Sequence, residues 1–65
     1  MAEESKPFRV AKIVQSYVAR DVSIQNAIAQ LVGLGYTYSA ASYALHMLNS
    51  GMFSQLDVLH YLGVS

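Results

Sequence analysis

Few residues in this chain have the means for bond-making chemistry. His46 and His60 are its two imidazoles, and Asp57 stands one helical turn before His60. A carboxylate and an imidazole at that spacing can begin a metal site, but a metal centre needs three or four ligands, each held by partners behind it. Nucleophilic catalysis needs a Ser or Thr beside a base that a third group orients, and no order of residues here singles out such a set. With no cysteine, the chain has neither a thiolate ligand nor a disulfide to supplement its core. Gly33 and Gly35 do not form a glycine-rich phosphate loop; they stand where a helix end and its turn account for them. The expectation is a non-enzyme without metal or cofactor.

The elements that position these residues belong to one small domain. The chain has 65 residues, and a domain of that size buries only about 60% of the surface its unfolded chain exposes. Charge is unevenly placed. The basic residues Lys6, Arg9, Lys12 and Arg20 and the acids Glu3, Glu4 and Asp21 precede Val22, after which Asp57 is the only formal charge. Charged residues make up 12% of the chain, about half the 25% of an average soluble domain. A surface of Tyr, Met, Ser, Gln and Ala with so little charge is the kind that a partner or a second copy covers. Gln25, Asn26, Gln30 and the 33–39 segment interrupt the apolar residues, so no run of about 20 remains to span a membrane. Residues 1–6 lack the apolar stretch and cleavage site of a signal peptide, so a cytoplasmic location is expected.

Apolar spacing predicts four helices and no strand, hence an all-α fold. The first, over about 7–20, opens with Pro7 and aligns Val10, Ile13, Val14, Tyr17 and Val18 on one side, with Lys6, Arg9, Lys12 and Gln15 opposite. The second follows Ser23 as N-cap, carries Ile24, Ala27, Ile28, Leu31 and Leu34 on one stripe, and ends at Gly35. The third starts after Thr37 or Ser39 and turns Ala41, Ala44, Leu45 and Leu48 inward. The fourth opens with a Ser54/Asp57 capping box, with Phe53 and Val58 as its staple, turns Leu56, Leu59 and Leu62 inward, and closes at Gly63. Residues 1–6 are expected to be a disordered tail and 7–65 a single helical domain.

The run from Ile28 to Tyr36, followed by Ala41, Ala44 and Leu45, resembles the ubiquitin-associated (UBA) domain family. Leu34, Gly35 and Tyr36 stand where the family has a Met-Gly-Phe/Tyr loop. Thr37 stands at the following cap, Asn49 in the turn, and Met52, Leu56, Asp57 and Leu59 at the later positions. The likeness covers residues 24–62 and departs from the pattern at Leu34, where Met is common, and in a turn only partly Asn-rich. It implies a three-helix unit over about 23–63, preceded by the extra amphipathic helix. It further implies an apolar patch for ubiquitin made of Leu34, Gly35, Tyr36, Leu59, His60 and Leu62. Plain core duty is the competing role for Leu34, Leu59 and Leu62, and UBA-like units also occur in proteins that do not bind ubiquitin.

A second likeness points to nucleic acid. Gln25, Ala29 and Gly33, at four-residue steps before another helix, look like the helix-turn-helix of small phage and bacterial regulators. The recognition helix would then lie within residues 38–48, which contain no Arg or Lys, although phosphate contacts require positive charge. Lys6, Arg9, Lys12 and Arg20 would have to supply it.

The sequence thus leads to a helical protein-recognition module that binds a partner protein, possibly ubiquitin-like, and self-associates as a homodimer or larger oligomer. Its candidate anchors are Tyr36, Tyr38, Tyr43, Met47, Met52, Phe53 and Tyr61. A nucleic-acid-binding regulator and a structural subunit of an assembly are the alternatives.

Overall fold

In the computed structural model, which describes residues 5–63, the chain folds into four α-helices. These are α1 (Lys6–Val18), α2 (Ile24–Gly33), α3 (Tyr38–Asn49) and α4 (Gln55–Tyr61), and no strand occurs among the described residues. Part of the expected tail, residues 1–4, lies outside the described residues; Ser5 caps the first helix and Lys6 is its first residue.

All four helices start in the same way. Ser5, Ser23, Thr37 and Ser54 are extended N-cap residues whose side-chain oxygens accept from the amides of Phe8, Asn26, Ala40 and Asp57. Each cap satisfies one of the amide donors that a helix start leaves without a partner. Pro7 lies one residue inside α1, where its missing N–H costs nothing. The capping box at α4 is complete, with the Ser54 amide donating back to the Asp57 carboxylate at 3.0 Å.

The helix ends are also alike. After α2, the Tyr36 amide donates to the Leu31 carbonyl and the Gly35 amide to that of Val32. After α3, Met52 reaches Met47 and Gly51 reaches Leu48 in the same pattern. Both ends place glycine in a positive-φ conformation, +109° at Gly35 and +85° at Gly51. The end of α1 makes the same paired bonds, Asp21 to Ser16 and Arg20 to Tyr17, but with Arg20 at φ 67°. Arg20 therefore lies beyond α1 in a left-handed turn, not on the helix.

The buried faces follow helical spacing. Val10, Ile13, Val14 and Tyr17 from α1 meet Ala27, Ile28 and Leu31 from α2, Ala41, Ala44 and Leu45 from α3, and Val58 and Leu62. Alanines at 27, 41 and 44 let α2 and α3 approach closely, and every one of them has zero exposure. The backbones approach closely from α1 to α2, α2 to α3, α3 to α4 and α4 back to α1, and the diagonal pairs stand farther apart. The first helix is thus an integral side of the core, packed between α2 and α4. Two expected inward residues lie outside. Leu56 is 66% exposed because the core-facing direction of α4 is set by Val58, Leu59 and Leu62, and Leu56 is turned well away from it. Val18 is 44% exposed; it lines the rim of an open groove with Leu48 and Ser54 instead of the core.

Candidate functional site

Three aromatic rings meet on the outer side of α3 and α4. Tyr43 lies edge-on to Phe53, with ring centroids 5.9 Å apart and planes at 83°. Tyr61 closes the triangle, 5.2 Å from Tyr43 and 5.8 Å from Phe53. Centroid separations of this size are those at which aromatic pairs attract, by about 0.5–1.5 kcal/mol beyond the area they bury. Each ring is fixed by a different element. Tyr43 projects from α3 on the side away from Ala41, Ala44 and Leu45. Phe53 is held in the turn by its amide, which donates to the Met47 carbonyl at 3.1 Å. Tyr61 is the last residue of α4, whose start the Ser54/Asp57 box fixes.

The cluster stays open to solvent. Tyr43 is 48% and Tyr61 47% exposed, and Met52, next to the half-buried Phe53, is 70% exposed. Phe53 leans on the core, and the two tyrosines, packed on it yet with about half their surface outside, have the character of contact residues rather than core. Over α3, the turn and α4, Asp57 is the single formal charge. Hydrogen bonding within the capping box, first from the Ser54 backbone amide and then at the Ser54 side chain, holds the Asp57 carboxyl below its ordinary value. Tyr43, Phe53 and Tyr61 were each candidate anchors by type. Their meeting, across eighteen positions of chain from Tyr43 to Tyr61, carries no local signal.

The residues of the UBA-type patch are placed less uniformly. Gly35 and His60 face solvent, while Leu34, Tyr36 and Leu59 are half-buried against the core. Leu62, at 6% exposure, is part of the core itself. The Lys6 ammonium stands 4.4 Å from the centre of the Tyr36 ring, so the Lys6 side chain reaches from the first turn of α1 onto that ring. This cation–π contact is worth about 0.5–1 kcal/mol at a surface site. The Tyr36 hydroxyl oxygen is buried and has no hydrogen-bond partner among the described residues, and burial pushes its pKa above the ordinary tyrosine value.

The basic residues do not form one surface. Arg9 and Lys12 line a shallow groove between α1 and α2 with Gln30 and Leu34, and Lys12 also stands 5.6 Å from the Phe8 ring. Arg20 lies past the far end of α1, 6.0 Å from the ring of Tyr17. His46 and His60 are both exposed. Among the described residues, no three His, Cys, Asp or Glu side chains converge as a metal would require. Nor is any helix long and apolar enough to cross a membrane.

The chain matches no protein-family model, no curated protein and no solved structure.

Proposed function

We propose that this chain is an intracellular, non-enzymatic protein-recognition module that engages its partner through the aromatic seam of α3 and α4. The observation that carries the reading is the packed triangle of Tyr43, Phe53 and Tyr61, whose two tyrosines stay half-exposed. Tyrosine gives a large contact area with only two side-chain torsions to order, and residues of this type dominate measured interface energies. The near absence of charge around the rings lowers the desolvation cost of covering them.

A retention experiment tests this. The wild-type chain, Tyr61→Ser and Lys12→Ala are immobilised, exposed to lysate of the native host, and the retained proteins are re-bound from pure stocks. Tyr61→Ser should weaken the genuine partner about tenfold or more, as loss of an anchor worth over 1.4 kcal/mol does, with Lys12→Ala unchanged. Equal binding by all three proteins would remove the seam from consideration.

Ubiquitin is the partner that the UBA resemblance supplies, and it would engage Gly35, Tyr36 and His60 instead. Its addition should shift the amide signals of Gly35 and Tyr36, and Tyr36→Ala should weaken binding while Lys12→Ala does not. The groove edged by Arg9 and Lys12 supports a second reading, contact with a nucleic-acid backbone. Retention on duplex DNA that falls steeply with salt is its expected mark.

A further inference from the structure

We propose that the groove at the far end of α1 is a second recognition site, built for the C-terminal carboxylate of a partner peptide whose last residue is apolar. The site is separate from the aromatic seam and does not rest on it. Its wall comes from Val18 and Arg20 at the end of α1, Leu48 and Asn49 at the end of α3, and Ser54 and Gln55 at the start of α4. The hollow between them measures about 440 Å³, within the range of about 300–1,000 Å³ found for ligand pockets. It is open on one side, which suits the end of a chain better than an enclosed small molecule.

Arg20 is the one formal charge on this wall. Its backbone takes the left-handed position at φ 67°, where the ends of α2, α3 and α4 use Gly35, Gly51 and Gly63. A side chain at such a position costs backbone strain, and strained residues concentrate where the side chain is used. The guanidinium makes no hydrogen bond or ion pair among the described residues; its neighbour is the Tyr17 ring, 6.0 Å away. Its donors form a flat fork that matches a carboxylate through two parallel bonds.

Charge decides what the groove takes. A second hollow shares Tyr17, Arg20 and Asn49 but adds Asp21, whose carboxylate beside Arg20 opposes an anion there. The α4 side has no acid on its wall, and the nearby Asp57 already accepts from the Ser54 amide at 3.0 Å. A terminal residue brings a carboxylate, an apolar side chain and an amide N–H in one unit. These match the Arg20 fork, the apolar surface of Val18 and Leu48, and the side-chain amides of Asn49 and Gln55. A phosphate diester brings nothing to set against Val18, which is 44% exposed.

Four probes test the site: N-acetyl-Gly-Leu with a free carboxylate, the same dipeptide amidated, N-acetyl-Asp amide, and inorganic phosphate. Each is titrated into the full, isotope-enriched chain while amide signals are followed. The free acid should shift the Arg20, Asn49 and Gln55 signals saturably and bind at least tenfold more tightly than the amidated form, as loss of a charge-assisted pair implies. Arg20→Gly is the decisive variant, because glycine fits the backbone there. It should raise the melting temperature while weakening the free acid at least tenfold, so that lost binding is not lost folding. Equal binding of free and amidated dipeptide, no saturable shift at millimolar free acid, or undiminished binding by Arg20→Gly would each overturn the proposal. Tighter, Arg20-dependent binding of N-acetyl-Asp amide or of phosphate would overturn the chain-end assignment, in favour of an acidic side chain or a nucleic-acid backbone respectively.

Discussion

Gly33 and Gly35, two positions apart, do opposite things. Gly33 is the last residue of α2, and a Cβ added there would meet nothing within 4 Å. Gly33→Ala should therefore raise stability by about 0.5 kcal/mol through its better helix propensity. Gly35 has the same open space but a φ of +109°, so Gly35→Ala should cost about 1–2 kcal/mol from backbone strain alone. In a domain this small, 1 kcal/mol moves the melting temperature by about 4–8 °C, so thermal unfolding of the pair reads both signs. The sequence reading places both glycines at the helix end and its turn and ends the helix at Gly35, because residue type does not say which residue the last helical hydrogen bond includes. Arg20 was unreadable for the same reason: it fills a left-handed position with no glycine to announce it. Tyr36 supplies a further test. Its buried hydroxyl has no partner among the described residues, a situation that costs about 1–3 kcal/mol. Tyr36→Phe should accordingly raise stability by about 1 kcal/mol in denaturant titration, whereas Tyr36→Ala lowers it.

The helices themselves were largely legible. Ser23, Thr37 and Ser54 each precede an apolar periodic run, and a side-chain acceptor at such a point is a local signal that tertiary structure did not override. Side-chain direction near helix ends was less so. Leu56 and Val18 fit an inward stripe by type, but α4 has only seven residues, too few for periodicity to fix the core-facing direction. A helix of that length is not stable by itself, and α4 depends on its cap and on Val58 and Leu62. Ser54→Ala should cost about 1 kcal/mol and increase amide exchange across α4 before other helices. The box also makes α4 sensitive to acid. Because folding lowers the Asp57 pKa, its contribution is fully present above the ordinary 3.8 and is lost as pH falls through the lowered value. Asp57→Asn should remove that part of the acid dependence, measured as unfolding midpoints between about pH 6 and about pH 2.5.

The whole molecule has little margin, since a chain of this size ends with a net stability of only a few kcal/mol. Leu31 and Leu45 have zero exposure, and truncation of such a residue to alanine costs about 2–5 kcal/mol. Leu45→Ala should therefore leave much of the population unfolded at 25 °C, visible as lost helical circular dichroism. The all-α class and the members of the core were legible because both are written in local periodicity. The closure of α1 onto α4 and the meeting of Tyr43, Phe53 and Tyr61 were not, because they depend on how helices are placed after collapse. That closure has a kinetic consequence. Three of the four helix pairings join neighbours through the connections 19–23, 34–37 and 50–54, so only one distant encounter stands between the extended chain and its final shape. Refolding after a temperature jump should complete within microseconds to milliseconds, early enough that any pairing of copies begins from finished monomers.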